Sequence, residues 1–275
     1  MGVPYAEVIG DPIVHSKSPL IHKFWLEKLG LPGDYRAVRV AAGELVDYLR
    51  ERRSDPEWRG CNVTMPLKQA VVPLLDEVEV GLESLNCVIP CRGRLVGFDT
   101  DAAGIAEAIG NWSFAQPEDA ICLIGAGGAA RAVIAALPVE DAFDVRVMAR
   151  DPRRAAKLLR SCGVSGEPFW LDEAERAIEG CTAVINASPL GMTGFPPMPE
   201  AVLDSLCGVR PAGYVLDLVT SPVETILLRR AAAAGLTIAD GLAVLIGQAR
   251  GAFQRFYGLQ PTRACDAAVR ALLTR

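Results

Sequence analysis

The stretch that most limits what this chain can fold into is Ile121-Cys-Leu-Ile-Gly-Ala-Gly-Gly-Ala-Ala-Arg-Ala-Val-Ile134, where a short apolar run breaks into glycines and resumes as helix formers. The pattern reads as strand, tight turn, helix. Gly125 permits the turn, Gly127 lets the backbone approach a pyrophosphate, and Ala130 is small where helix and strand must close on each other. Gly128 and Ala129 open the helix, whose free N–H groups and dipole favour a bound anion. Alone, such a run is equally an ordinary tight turn. Its surroundings favour the dinucleotide reading: an apolar strand precedes it, an alanine-rich helix follows, and strand-like Asp144-Val-Arg-Val-Met148 arrives at βαβ spacing.

With 275 residues, 51% of them hydrophobic, the chain is long enough for two domains. Its net charge of -5, with no Lys/Arg-rich block, gives no electrostatic reason to expect nucleic acid or an anionic membrane as partner. Apolar runs are broken by glycine, proline or charge before they reach the length of a membrane span. The opening Met-Gly-Val-Pro-Tyr lacks a basic region followed by an apolar one, so the cytoplasm is expected rather than a secretory route. The 8 cysteines are scattered, with Cys122 and Cys181 inside apolar runs and no C-x-x-C pair, which reads as buried free thiols. His15 and His22 are too poorly accompanied for a metal site, so no metal is expected.

Toward the N-terminus, strand-like Tyr5-Ala-Glu-Val-Ile9 leads through Gly10-Asp-Pro12 to Val14-His-Ser-Lys-Ser-Pro-Leu20. Ser18 before Pro19 reads as a helix start with the serine as cap; Leu20, Phe24, Leu26 and Leu29 would face inward until Gly30 ends the helix. Ser16 has no such duty, and two hydroxyls at a helix entrance suit a small anion such as a carboxylate. A second helix follows over residues 42–53. Then Arg59-Gly-Cys-Asn-Val-Thr-Met-Pro-Leu-Lys68 reads as a strand ending near Val63 and a helix begun by Pro66, with Lys68 in its first turn. A lysine is misplaced at the positive end of a helix. It is either a solvated surface residue or, with Asn62 and Thr64 on the same loop, part of a ligand site.

Residues 83–89 and 94–98 look like hairpin arms joined at Arg92-Gly93. The second arm runs into Asp99-Thr-Asp-Ala-Ala-Gly104 and a short helix, which Thr100 or Asp101 would cap unless Asp101 instead meets Lys68. After Met148 comes Ala149-Arg-Asp-Pro-Arg-Arg154. At this point an NAD site places a carboxylate on the ribose and an NADP site a cation on the 2′-phosphate. Arg150, Arg153 and Arg154 outnumber Asp151, so NADP is the expected cofactor and NAD the alternative. Further strands end in Asn186-Ala-Ser188 and near Leu218, in loops at the ligand-facing edge. In the last long helix Leu242, Leu245, Ile246, Ala249, Phe253 and Phe256 recur at helical spacing as a core face, with Gln248 off it. A helix glutamine is ordinarily solvated; this one gains a role if its helix lies beside Ser16 and Lys68.

Gly10-Asp-Pro-Ile-Val-His-Ser-Lys-Ser-Pro19, Asn62-Val-Thr-Met-Pro-Leu-Lys68, Asp99-Thr-Asp101, Gly125-Ala-Gly-Gly-Ala129, Asn186-Ala-Ser188 and residues 241–248 together resemble, in content and order, the shikimate dehydrogenase family. The resemblance covers nearly the whole chain. It implies an α/β enzyme of two domains: an N-terminal α/β substrate domain over residues 1–103, a Rossmann-type doubly wound parallel sheet for NADP over 104–239, and C-terminal helices over 240–275 that return to the first domain. It implies NADPH-dependent reduction of 3-dehydroshikimate to shikimate, on the route to aromatic amino acids, by a monomer or homodimer. Lys68 and Asp101 would be the catalytic pair. Ser16 and Ser18 would hold the substrate carboxylate, while Asn62, Thr64, Asn86, Asp101 and Gln248 would read hydroxyls or place the ring. Gly125, Ala126, Gly127, Gly128, Ala129, Arg150, Arg154, Asn186, Ser188 and Gly241 would hold the cofactor.

The chemistry of these residue types agrees. Reducing a carbonyl takes a hydride, which a nicotinamide supplies. It also takes a proton for the developing alkoxide, which a lysine ammonium donates while stabilising the charge. An ordinary lysine, with a pKa of about 10.4, is protonated at neutral pH, and Asp101 would hold it so. The chain departs from the family pattern at Asp99 and Ala102 (usually Asn and Gly), at Cys87 (Thr), and at Thr220 and Val244 (Tyr and Met). It departs again at Ala149 and Asp151, where the cofactor motif has Asn and Thr. Two other readings stay open: a relative acting on quinate or another cyclic hydroxy acid, with NAD, and an NADP-binding sensor without turnover.

Overall fold

The computed structural model describes residues 2–79, 82–110, 112, 119–137 and 144–274. Contacts divide the chain into two compact units, one running to Gly104 and resuming at Ile246, the other Ile105–Leu245. Among the described residues no helix is long and apolar enough to cross a membrane.

The first unit is built on a mixed sheet of β1 (Tyr5–Gly10), β2 (Asp34–Arg39), β3 (Trp58–Val63), β4 (Glu77–Val78), β5 (Cys87–Cys91) and β6 (Arg94–Phe98), in the order β2-β1-β3-β5-β6-β4. β1 pairs in parallel with β2 and β3, whereas β5 runs antiparallel to β3 and β6. The C-terminal ends of β1, β3 and β6 and the start of β5 therefore share one edge. Strand alternation separates two cores: Tyr5 and Ile9 join Trp58, Leu45 and Leu49, while Ala6 and Val8 join Tyr35, Ala252 and Phe256. Between the alternating positions Glu7 is buried, its carboxylate held by Arg52 Nε at 2.8 Å and Tyr48 OH at 2.6 Å.

Helix α1 (Ser18–Lys28) carries Pro19 in its first turn and ends before Gly30, which takes φ 63°. Two expectations change here. Ser18 is the first helical residue and not the cap; Ser16 Oγ accepts from its N–H at 3.4 Å. Of the four residues expected inward Leu26 is buried, Phe24 is half-buried and Leu20 and Leu29 are exposed, while Ile21, His22 and Trp25 fill the core instead. Helix α2 (Leu45–Arg53) follows a 3-10 turn at Ala42–Glu44. Pro66 opens no helix. Residues 65–71 form successive turns, closed by Leu67 N–H to Thr64 O and Val71 N–H to Leu67 O. Pro73 follows too soon for a helix begun at Pro66 to become stable. Lys68 thus escapes the helix dipole that would oppose its charge.

Helix α3 (Asp101–Ala108) leads to the second unit, whose strands β7 (Ala120–Ile124), β8 (Asp144–Ala149), β9 (Gly166–Trp170), β10 (Ala183–Asn186), β11 (Tyr214–Asp217) and β12 (Thr237–Asp240) form one parallel sheet. The order is β12-β11-β10-β7-β8-β9. Numbered within the unit this is the doubly wound dinucleotide order, with its reversal between β7 and β10. Between strands run α4 (Gly128–Ala136), α5 (Pro152–Cys162), α6 (Ala174–Ile178), α7 (Glu200–Asp204) and α8 (Ile226–Ala233); α9 (Gly241–Tyr257) and α10 (Asp266–Leu273) close the chain. All of β7 is buried: Ile121 and Leu123 face α4 and α5, and Cys122 and Ile124 face α6, α7 and α8. Each of the isoleucines and the leucine stabilises the unit by about 1.5–3 kcal/mol, and burial on both faces is why this strand reads as an unbroken apolar run.

The cysteines are free, but not uniformly buried: Cys61, Cys87, Cys122 and Cys181 are, whereas Cys91 and Cys207 are exposed. Cys181 lies in the turn before β10 and not in the strand.

Candidate active site

At the shared edge of the first sheet, Lys68 Nζ donates to Asp101 Oδ2 at 2.5 Å. Asp101 begins α3, but its carboxylate is spared the capping role. Asp99 performs that role: its Oδ1 accepts from the Asp101 N–H at 2.5 Å. Thr100 does hold the cap position, its C=O accepting from Gly104 N–H at 3.0 Å, but the capping side chain is that of the unusual Asp99 and not of Thr100 or Asp101.

Asn86, just before β5, is oriented by Thr100, whose N–H and Oγ1 donate to Asn86 Oδ1 at 2.8 and 3.1 Å. Its Nδ2 then donates to Asp101 Oδ1 at 2.7 Å and to Gln248 Oε1 at 3.3 Å. Gln248 is thus buried within the network and not solvated on α9. Asn62 extends the network from the end of β3: Nδ2 donates to Asn86 O at 3.0 Å and Oδ1 accepts from Tyr35 OH at 2.7 Å. Ser16, Ser18 and Thr64 stand outside this chain of bonds. Their loops are nevertheless stitched together, since Asp11 N–H donates to Met65 O at 3.1 Å and a Cβ on Gly10 would lie 2.6 Å from Thr64 Cγ2.

Burial pulls the Lys68 pKa down, but the charge of Asp101, the hydrogen bond to it and the charge of Asp99 outweigh that loss and leave it raised. Lys68 is therefore an ammonium at neutral pH. Its side chain retains 29% exposure. Burial, and then the charge of Asp101, raise the Asp99 pKa in turn. An ammonium held by a carboxylate can give a proton to a developing alkoxide and stabilise its charge.

In the second unit Gly125 takes φ 113°, and a Cβ there would press on Ala187 O at 3.0 Å. Gly127 precedes α4 with no side-chain cap, and a Cβ on it would meet nothing within 4 Å. Gly127, Gly128 and Ala129 are exposed, with Ala126 half-buried and Ala130 sealed against the sheet. The result is an open cradle of backbone N–H groups at a positive helix end, which fits a dinucleotide pyrophosphate. Arg150 and Arg154 are exposed beside the end of β8. Asp151 is already committed: it caps α5 through Arg153 N–H at 3.1 Å and pairs with Arg153 Nε at 2.9 Å, and that bond lowers its pKa.

Two expected cofactor residues are also tied into the fold. Asn186 is fully buried; its Nδ2 donates to Leu190 O at 3.1 Å and Asp217 Oδ1 at 2.9 Å, and its Oδ1 accepts from Ser188 N–H at 3.0 Å and Oγ at 2.7 Å. No bonding capacity is left for a ligand, so Asn186 shapes the loop in which Ser188 stands. Gly241 is buried because a Cβ would lie 2.5 Å from Val219 O; it permits the close approach of α9 to the segment after β11. Behind the loop, burial raises the Asp217 pKa against bonds from Thr225 Oγ1 at 2.7 Å, Val219 N–H at 3.0 Å and Asn186. The sequence reading missed Asp217, Tyr35 and the orienting role of Thr100. Asp217 alone carries a signal, a charged residue at the end of an otherwise apolar strand.

The doubly wound sheet and the lysine–aspartate pair define a class: two-unit dehydrogenases that carry a dinucleotide turn on one unit and a proton donor on the other. Two family descriptions match the chain, "Shikimate dehydrogenase substrate binding domain" over residues 8–110 and "Shikimate / quinate 5-dehydrogenase" over residues 108–190. Shikimate dehydrogenase (NADP(+)) of Sphingopyxis alaskensis is 45% identical over 274 residues, covering 98% of this chain and 97% of that protein. The shikimate 5-dehydrogenase of Thermus thermophilus, solved in complex with NADP(H) and shikimate, is similar at TM-score 0.82 and 35% identity, over 98% of this chain and 99% of that one. Quinate dehydrogenase from Corynebacterium glutamicum, solved with NAD, is similar at TM-score 0.82 and 28% identity, over 98% of each chain. The chain belongs to the shikimate dehydrogenase family.

Proposed function

We propose that this protein catalyses the reversible NADPH-dependent reduction of 3-dehydroshikimate to shikimate, a step toward aromatic amino acids, with Lys68 giving and taking the proton. The observation that carries this reading is the 2.5 Å bond from Lys68 Nζ to Asp101 Oδ2, anchored on the far side by Asn86. NADPH, when bound, supplies the hydride. Lys68 Nζ hands its proton to the former carbonyl oxygen, and Asp101 holds Nζ in place and favours its charged form. Partial exposure lets Lys68 recover a proton from solvent. In the reverse direction the neutral amine accepts the proton. Ser16 and Ser18 receive the substrate carboxylate, and Asn62, Thr64 and Gln248 receive its hydroxyls.

We assign substrate to residues 1–103 with 240–275, and cofactor to residues 104–239. The Gly125–Ala129 turn holds the pyrophosphate, Ser188 lines the site, and Arg150 and Arg154 take the 2′-phosphate. Asp151 does not oppose that phosphate because Arg153 neutralises it, which favours NADP over NAD. The protein acts as a monomer or homodimer. Eight free cysteines suit the reducing cytoplasm. The test is reduced-nicotinamide absorbance with shikimate or quinate and NADP or NAD. Turnover with shikimate and NADP supports the reading; response to quinate with NAD alone would replace it by the quinate activity, and NADPH binding without any turnover by a sensor.

A further inference from the structure

Tyr35 plays no part in the reaction outlined above, yet it ends the hydrogen-bond chain that leads through Asn62 and Asn86 to Asp101. The ring is fully buried and stacks on His22, with 3.9 Å between centroids and 11° between planes. His22 is itself fully buried, and burial pushes its pKa down to about 3, so a neutral ring faces Tyr35 at working pH. Stacking on a buried neighbour fixes the plane of the phenol and with it the direction of the hydroxyl. Burial holds the Tyr35 pKa well above its ordinary value, so the hydroxyl keeps its proton and donates to Asn62 Oδ1.

Asn62 has one acceptor oxygen and two N–H donors. Tyr35 donates to the oxygen, and Asn86 O takes one N–H, so the amide is held at both ends. One N–H of Nδ2 is left to donate to a ligand. We propose that Tyr35 is a positioning residue for the substrate site: by holding Asn62 Oδ1 while Asn86 O holds Nδ2 it fixes which way round the Asn62 amide stands, so that the remaining Nδ2 N–H is turned to a substrate hydroxyl or carbonyl oxygen. The proposal rests on the substrate site proposed above. Without the phenol hydroxyl, a buried amide oxygen loses its donor, and the amide gains by turning that oxygen toward the pocket.

The test compares wild type, Tyr35→Phe, Asn62→Ala and the double variant. Tyr35→Phe should raise KM for shikimate about tenfold, the equilibrium equivalent of one hydrogen bond, while kcat and KM for NADP stay near wild type. In the Asn62→Ala background the same change should do nothing further. An unchanged KM in Tyr35→Phe, or equal increases in both backgrounds, would overturn the proposal; loss of thermal stability with KM intact would reduce Tyr35 to packing. If Tyr35→Phe fails to fold, the wild-type Asn62 side-chain amide can be followed by NMR. Its N–H signals should be slow to exchange and shift on adding shikimate; rapid exchange with no shift would also overturn the proposal. Wild type inactive on shikimate would instead fail the functional reading beneath it.

Discussion

Lys68 and Asp101 meet at 2.5 Å although the first leaves the end of β3 and the second follows the end of β6. The sheet makes the meeting possible, because β5 reverses direction between β3 and β6 and returns both strand ends to one edge. Asp99 completes the arrangement by capping α3, leaving the Asp101 carboxylate to the lysine.

Asp101→Asn should move the pH dependence of the reaction. Asp101 raises the Lys68 pKa through its charge and hydrogen bond, against burial, which lowers it. Removing that charge lets burial dominate, so the Lys68 pKa falls. The alkaline limb of carbonyl reduction, where the ammonium is lost, should shift toward lower pH. The alkaline limb is measured with saturating substrates; an unmoved limb contradicts the assignment of Asp101.

Gly125 and Gly127 should respond differently to alanine. At Gly125 a side chain meets Ala187 O and a left-handed backbone, so Gly125→Ala should cost about 1–3 kcal/mol of stability. At Gly127 φ is -108° and the space beyond is open, so the fold should tolerate Gly127→Ala. The added methyl should instead weaken NADPH binding about tenfold, comparable to one charge-assisted hydrogen bond. Thermal melts with NADPH titrations separate the two effects.

Arg150→Gln with Arg154→Gln should raise KM for NADP about tenfold and leave NAD largely untouched, because only NADP has the 2′-phosphate these cations would face. Equal losses with both cofactors would place the arginines elsewhere.

His22 should make the protein acid-sensitive. Its folded pKa is lowered from 6.5 to about 3, so the unfolded chain binds the extra proton between those values. The stability contribution is complete above about pH 6.5 and is lost toward pH 3, by about 1.4 kcal/mol per pH unit. His22→Phe should flatten that part of the melting-temperature profile relative to wild type; parallel profiles would remove His22 as the cause.

The parts of this architecture legible in the sequence are those written locally. The run from Ile121 through the glycines carries its strand, turn and helix within a few residues, and Arg92-Gly93 closes the β5–β6 hairpin with φ of 51° and 78°. Failures came where distant packing decides. Nothing near Leu20 or Ile21 says which stripe of α1 is buried, and Pro66 looks like a helix start until Pro73 is weighed. Lys68 and Asp101 lie far apart in sequence, so their contact is legible only through their loop positions and the family resemblance. Tyr35 and Asp217 act through other side chains, and such roles leave no local pattern. Asn186 illustrates the converse, a motif residue whose side-chain bonds are all made within its own loop and to Asp217.

The most direct test of the central claim is turnover of shikimate with NADP by wild type and by Lys68→Ala, followed through reduced-nicotinamide absorbance. Wild type should be active, and Lys68→Ala should lose about 10²–10⁴-fold in kcat, the usual worth of a positioned acid–base group, with NADPH affinity nearly intact. Near-normal turnover by Lys68→Ala would contradict the account, because the proton would then come from elsewhere.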